Sequence, residues 1–278
     1  MSRFLIFVCL FAAFAAAQQR EPGKGINFYS IEKEMALGKH LAADFQRDTK
    51  PLESASALAY INGIGQRLAA QIGGPPFIYT FALVADDPTV LHDVAAFPGG
   101  FLFVPASLIL AVKDEDELAA MLAHAIAHVA SRDGARQATR AELVNGSTVP
   151  IIYMGGWTGD ATRQGQSLAV PLGLLQMWRK CELDADRLAA SKMPAAGYDP
   201  AALARYVDRE QASYDEHSQN VFSPVPLRTQ RLQAIHAVIG ELPAQVYPPH
   251  EGLDKIQEEV RRLTASVLPA KQPPTLAK

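Results

Sequence analysis

MLAHAIAHVASRD, residues Met121–Asp133, is the stretch on which the reading of this chain turns. His124 and His128 stand four residues apart in an alanine-rich run. A helix advances about 1.5 Å per residue, so positions i and i+4 share a face and two imidazoles can grip one metal ion. In the H-E-x-x-H helix of zinc proteases a glutamate follows the first histidine, whereas this chain has Ala125 there. Seven histidines in 278 residues bring up such a spacing by chance often enough that the pair alone is weak evidence. Satisfied core or surface histidines are the default.

The helix has a readable start. Asp114, with Glu117 three residues on, resembles a capping box. Leu118, Met121, Leu122, Ala125 and Val129 form an apolar stripe that must face the core. At about 100° per residue the histidines fall on the flank of that stripe, at the edge of the buried face.

A third ligand sharpens the case. In RKCELDAD, Arg179–Asp186, Glu182 and Asp186 also stand at i and i+4. Two histidines and one glutamate are the ligand set of catalytic zinc, which keeps its fourth position open. A neighbouring carboxylate orients such a histidine from behind, and Asp186 suits that part. The alternative is two solvated acids on an amphipathic helix. Cys181, adjacent to Glu182, points about 100° away and reads as a buried small residue.

The rest of the chain places these segments in an α+β, predominantly helical fold with a small β-sheet. Helical spacing runs over Ile31–Phe45, along Ile31, Met35, Leu37, Leu41 and Phe45, and again over Ala55–Ile72. Phe77–Asp87 reads as a strand, and a strand pair, Val94–Phe97 and Phe101–Pro105, brackets the turn Pro98-Gly99-Gly100. Ser107–Val112 reads as a helical turn. Helices follow over Leu174–Lys192 and Ala201–Gln219, with Ala195–Pro200 as a turn between them. Residues 144–176 are glycine-rich and apolar without clean period, either a loop over a site or a buried connection.

Composition bounds the function. The chain is 49% hydrophobic and 20% charged with net charge −3, and no Lys/Arg block stands out, so nucleic acid is not expected as a partner. Arg3, the apolar run Phe4–Phe14 and Ala15-Ala16-Ala17 read as a secretory signal peptide over residues 1–17. The apolar run is shorter than the ~20 residues that span a bilayer, and no later run approaches that length. Only Cys181 then remains, so no internal disulfide is expected. This fits export to a periplasm or cell envelope, with peripheral membrane contact at most. The domain is expected over residues 28–240, followed by a C-terminal helical segment and a Pro-rich disordered tail within 241–278.

Four segments, in this order, resemble metallopeptidase family forty-eight, the zinc proteases that include CAAX prenyl proteases, HtpX-like proteases and periplasmic assembly proteases. They are EKEMALGKHLA (Glu32–Ala42), DVAAFPGGFLFVPASLI (Asp93–Ile109), DELAAMLAHAIAHV (Asp116–Val129) and CELDADRLAASKMPAAGYDP (Cys181–Pro200). The resemblance implies a zincin-like fold, one Zn2+ held by His124, His128 and Glu182, and Asp186 behind them. It implies a polypeptide substrate or client, of the envelope-protein kind, lying along the edge strand Val94, Ala95, Ala96 and Phe97 by β-addition.

The chain departs from the family pattern where it matters. Ala125 replaces the general base, a group that typically contributes about 10²–10⁴-fold. Asp93 replaces an Asn, Asp133 replaces the His of an Arg-His pair, and Val225 replaces a His while Arg231 is retained. Several departures together point to natural divergence rather than a single inactivating change. His92, Asp93 and Asp133 are the candidates to stand in for the base. Two readings follow: a metalloendopeptidase-like protein with activity weak or lost, or a non-catalytic pseudoprotease acting as peptide-binding chaperone or regulator.

Overall fold

The computed structural model describes residues 25–86, 93–145, 172–215 and 225–267. The leader, most of the glycine-rich stretch, His92 and the Pro-rich tail lie outside the described residues. Nine helices and four strands occur among those described. The helices are α1 (Ile31–Asp48), α2 (Ala55–Ile72), α3 (Ala106–Ala111), α4 (Glu115–Ala130), α5 (Asp133–Asn145), α6 (Leu172–Lys192), α7 (Ala201–Asp215), α8 (Arg228–Glu241) and α9 (Leu253–Val267). The strands are β1 (Lys50–Pro51), β2 (Thr80–Ala85), β3 (Ala95–Phe97) and β4 (Phe101–Pro105). The architecture is α+β and mostly helical, as the sequence implies.

The sheet runs β1-β2-β4-β3, with β2 and β4 parallel and both outer pairs antiparallel. Alternation along β4 covers both faces. Leu102 and Val104 enter the main core, whereas Phe103 joins Phe97, Ala95, Val84 and Ala42 in a second cluster under α1. There Phe45, Phe97 and Phe103 pack with centroids 4.9–5.7 Å apart. The turn between β3 and β4 needs Gly99 and Gly100, whose φ values of 83° and 101° are strained for any other L-residue. Helix α1 lies so close to this turn that a Cβ on Gly38 would sit 1.6 Å from the Pro98 carbonyl oxygen.

Of the expected face of α1, Ile31, Leu37, Leu41 and Phe45 pack against the core clusters, whereas Met35 is exposed. The fully buried centre of that face is Glu34, Gly38 and Ala42. Backbone proximity and a buried ion pair set this centre, which apolar spacing alone does not report.

Helix α4 departs from the expected amphipathic picture too. Asp114 caps it, accepting from the Glu117 N–H at 2.8 Å, and three acids in its first turn complement the helix dipole. The carboxylate of Glu117 accepts from the Lys113 N–H rather than from Asp114, and is held bidentately by Arg209. Beyond the first turn α4 is buried on every side. Its many alanines leave room for α2, α6, α7 and β3 to close around it. The histidines therefore sit inside the core rather than at the rim of a buried face.

Helix α9, in the segment expected as C-terminal to the domain, packs Leu253, Ile256 and Val260 into the same main core. Its Gln257 side-chain amide donates to the carbonyls of Ile109 and Val112, each at 2.9 Å. Among the described residues no helix is long and apolar enough to cross a membrane.

Candidate metal centre

Helix α4 presents His124 and His128, and α6 crosses it to present Glu182. The two Nε2 atoms lie 3.1 Å apart, and the Glu182 carboxylate oxygens lie 3.4 Å from His124 Nε2 and 3.5 Å from His128 Nε2. The two rings meet nearly edge to face, at 86°. His124 and His128 are 6% and 2% exposed, whereas 23% of the Glu182 side chain meets solvent, so the cluster opens on that side.

Each outer nitrogen faces a carboxylate. Asp133 Oδ2 lies 2.8 Å from His128 Nδ1. Asp186 Oδ1 lies 3.0 Å from His124 Nδ1, but out of line with the ring N–H, so this contact is electrostatic rather than a directed hydrogen bond. Carboxylates only accept. With both ring protons on the outer nitrogens, the two Nε2 lone pairs and the Glu182 oxygens face one another with no donor between them. Four acceptors so close are mutually repulsive unless a cation joins them.

Ligands about 2.0–2.2 Å from a tetrahedral zinc stand roughly 3.3–3.6 Å from one another. The two Glu182 contacts match that spacing, and the 3.1 Å between the Nε2 atoms falls just short of it. Residues His124, His128 and Glu182 form a candidate metal-binding group on this geometry. The protonation tendencies of the metal-free cluster carry the same message. Burial opposes charge on His128, yet Glu182 and Asp133 outweigh it and push its pKa up to about 10. His124 is raised too, with Asp186 and Glu182 overcoming its burial. Burial would raise the Glu182 carboxyl, but His128 and His124 hold it well below the usual range. The cluster demands positive charge.

Behind the ligands the support is continuous. Arg231, retained in α8, donates through Nε and Nη2 to Asp186 at 2.8 and 2.7 Å, with both side chains buried. Arg136 donates to the other oxygen of Asp133. Cys181 is buried as expected, and burial pushes its thiol pKa up.

Two expectations change. Asp133 does not end α4 further along the same axis. The helix stops at Ala130, Arg132 takes a left-handed φ of 56°, and Asp133 opens α5 with its carboxylate turned back onto His128. It thus faces an outer nitrogen, as Asp186 does, and not the space between the Nε2 atoms where a base would act. Ala125 is 2% exposed and brings only a methyl. Val94 lies just before β3, and the side chains of Val94, Ala95, Ala96 and Phe97 are all buried. The edge strand therefore has its backbone, not its side chains, to offer. It is one of the two edge strands of the described sheet and packs against α4. Asp93 stands near Arg231 and Tyr206 rather than in the ligand cluster.

Sequence reasoning missed Glu34 and the orienting contact of Asp133. Glu34 is fully buried and accepts from Arg132 Nε at 2.6 Å, while Arg132 Nη2 donates to the Tyr29 carbonyl at 2.7 Å. A glutamate on the helix face turned toward a glycine was the available signal, and it is a faint one.

Comparison with known proteins agrees with this geometry. The sequence pattern of Peptidase family M48 matches residues 56–239. The chain is 24% identical over 236 residues to the beta-barrel assembly-enhancing protease of Escherichia coli (strain K12), covering 79% of this chain and 47% of that protein. It is 28% identical over 186 residues to the mitochondrial metalloendopeptidase OMA1 of Schizosaccharomyces pombe, covering 66% of this chain and 53% of that protein. The chain spans about half the length of these curated relatives.

Proposed function

The chain belongs to peptidase family M48 and carries a metallopeptidase-type domain, and on that premise we propose an exported, zinc-binding member of the cell envelope whose hydrolytic activity is weak or lost. His124, His128 and Glu182 would hold the ion, and Asp186 stands behind His124. The observation that carries this reading is the convergence of two Nε2 atoms and one carboxylate within 3.5 Å of one another. A zinc ion there supplies Lewis acidity to a scissile carbonyl and acidifies water.

The chain's own residues then divide the remaining work unevenly. β3 stands at one edge of the described sheet, and its backbone would take an extended peptide by β-addition. Glu182, on the open side, completes the ligand set. No proton can pass to or from the methyl of Ala125. Asp133 and Asp186 are held on the outer nitrogens by Arg136 and Arg231, so neither carboxylate reaches the place where the missing base would act. Binding of a polypeptide survives this loss, and turnover is weakened or lost with it.

The second reading is a pseudoprotease that holds envelope-protein segments as chaperone or regulator. It is favoured by Ala125 and by the outward commitment of both remaining carboxylates. The likeness to a beta-barrel assembly-enhancing protease supports the envelope as its setting and envelope proteins as its clients.

Zinc content of the purified protein, beside the His124→Ala variant, tests the premise common to both readings. About one zinc per chain, absent from the variant, is the expected result. No zinc in either protein, after zinc has been offered back, would sink the metallopeptidase reading.

A further inference from the structure

Two carboxylates stand behind the two histidines, and they are not equivalent. Asp186 gives both oxygens to Arg231 and meets His124 out of line. Asp133 meets His128 Nδ1 in line at 2.8 Å, with its other oxygen taken by Arg136. At 1% and 2% exposure, Asp133 and His128 are both shielded from bulk solvent.

The backbone is shaped to make this contact. Helix α4 ends at Ala130, and the left-handed Arg132 turns the chain so that the first residue of α5 lies under the last turn of α4. A non-glycine residue persists at such a φ only when its surroundings hold it. Arg132 is held by Glu34 from α1 and by the Tyr29 carbonyl.

We infer that Asp133 is a positioning residue for the metal, acting through His128. Because a carboxylate only accepts, it keeps the His128 proton on Nδ1 and aims the Nε2 lone pair into the cluster. A carboxylate on the far nitrogen also makes the imidazole a more basic ligand, and loss of such a partner typically weakens metal binding about 10–100-fold. The inference rests on the proposed zinc site and concerns how firmly that site holds its ion. Asp186 is by contrast mainly the partner of Arg231, so its loss acts first on the fold.

Zinc affinity by competition with a chromophoric chelator tests this on the unsubstituted protein, Asp133→Asn and Asp133→His. Weakening of about 10–100-fold is expected in both variants, with shifted visible bands after cobalt substitution. A purely structural role would lower the melting temperature of the metal-free protein and leave affinity and cobalt bands alone. Unchanged affinity in a folded variant would overturn the inference. Absence of zinc from the unsubstituted protein would overturn the zinc site itself. Should neither variant fold, nitrogen-15 NMR of histidine-labelled, zinc-loaded protein decides. A strongly hydrogen-bonded proton on His128 Nδ1 is expected, and one exchanging freely with water would refute the inference.

Discussion

The metal cluster has two sides, and they have fared differently. On the outer side each histidine meets a carboxylate, each carboxylate meets an arginine, and Glu34 steadies the turn that delivers Asp133. On the inner side, the proposed site has Ala125 where the resemblance to the family would place a proton-moving glutamate. Holding a metal and using it are tasks of different residues. Ligands and their supports are also parts of a packed core, where removing a charged partner is costly to the fold. A general base is needed only for the reaction, so it can be lost while the fold stands.

The largest expected effect comes from restoring the inner side. Ala125→Glu is expected to raise hydrolysis of an unfolded peptide by about 10²–10⁴-fold over the unsubstituted protein. No gain in a variant that still binds zinc would show that the inner side has decayed beyond one residue.

Next is the outer side. Asp186→Asn leaves the buried Arg231 guanidinium without its charged partner and is expected to cost about 3–5 kcal/mol in denaturant unfolding. Burial works against charge on Asp186, but Arg231 and His124 bring its pKa down to about 2. A depressed folded-state pKa means stability that is complete above about pH 4 and lost as pH falls toward 2. The variant should lack that acid slope, and retaining it would assign the slope to other groups.

Zinc and protons compete for the inner side. In the metal-free protein His128 has its pKa raised to about 10, Glu182 and Asp133 overcoming its burial. It therefore carries a proton at neutral pH that zinc must displace. Zinc affinity is expected to rise about tenfold per pH unit for each displaced proton, measured between pH 6.5 and 8.5. A flat profile would mean that the ligands are already deprotonated.

The smallest effect separates the strand edge from the metal. Gly38→Ala pushes a methyl to 1.6 Å from the Pro98 carbonyl oxygen. A loss of about 1–3 kcal/mol is expected, seen as a lower melting midpoint with zinc content unchanged. Loss of zinc as well would show that α1 and the metal cluster are not independent.

Much of this was legible in the sequence because it is local. The start of α4 at Asp114, the Pro98-Gly99-Gly100 turn between paired strands, and the i, i+4 spacing of His124 and His128 each depend on residues a few positions apart. The fully buried centre of the α1 face was not legible, because Gly38 and Glu34 are buried by partners about 60 and 98 residues away. Nor was the all-round burial of α4, since alanine carries little hydropathy signal and takes its place from the helices that surround it.

By itself, then, the sequence determined the fold class, the ordered segments and the absence of a glutamate at position 125. Only the tertiary structure decided that α6 brings Glu182 to both histidines, that Asp133 turns back onto His128 and that Arg231 claims Asp186. The physical reason is distance along the chain and the angle of one residue. Residues 45–58 positions apart meet only through helix packing, and the left-handed Arg132 redirects the chain in a way that helical periodicity does not encode.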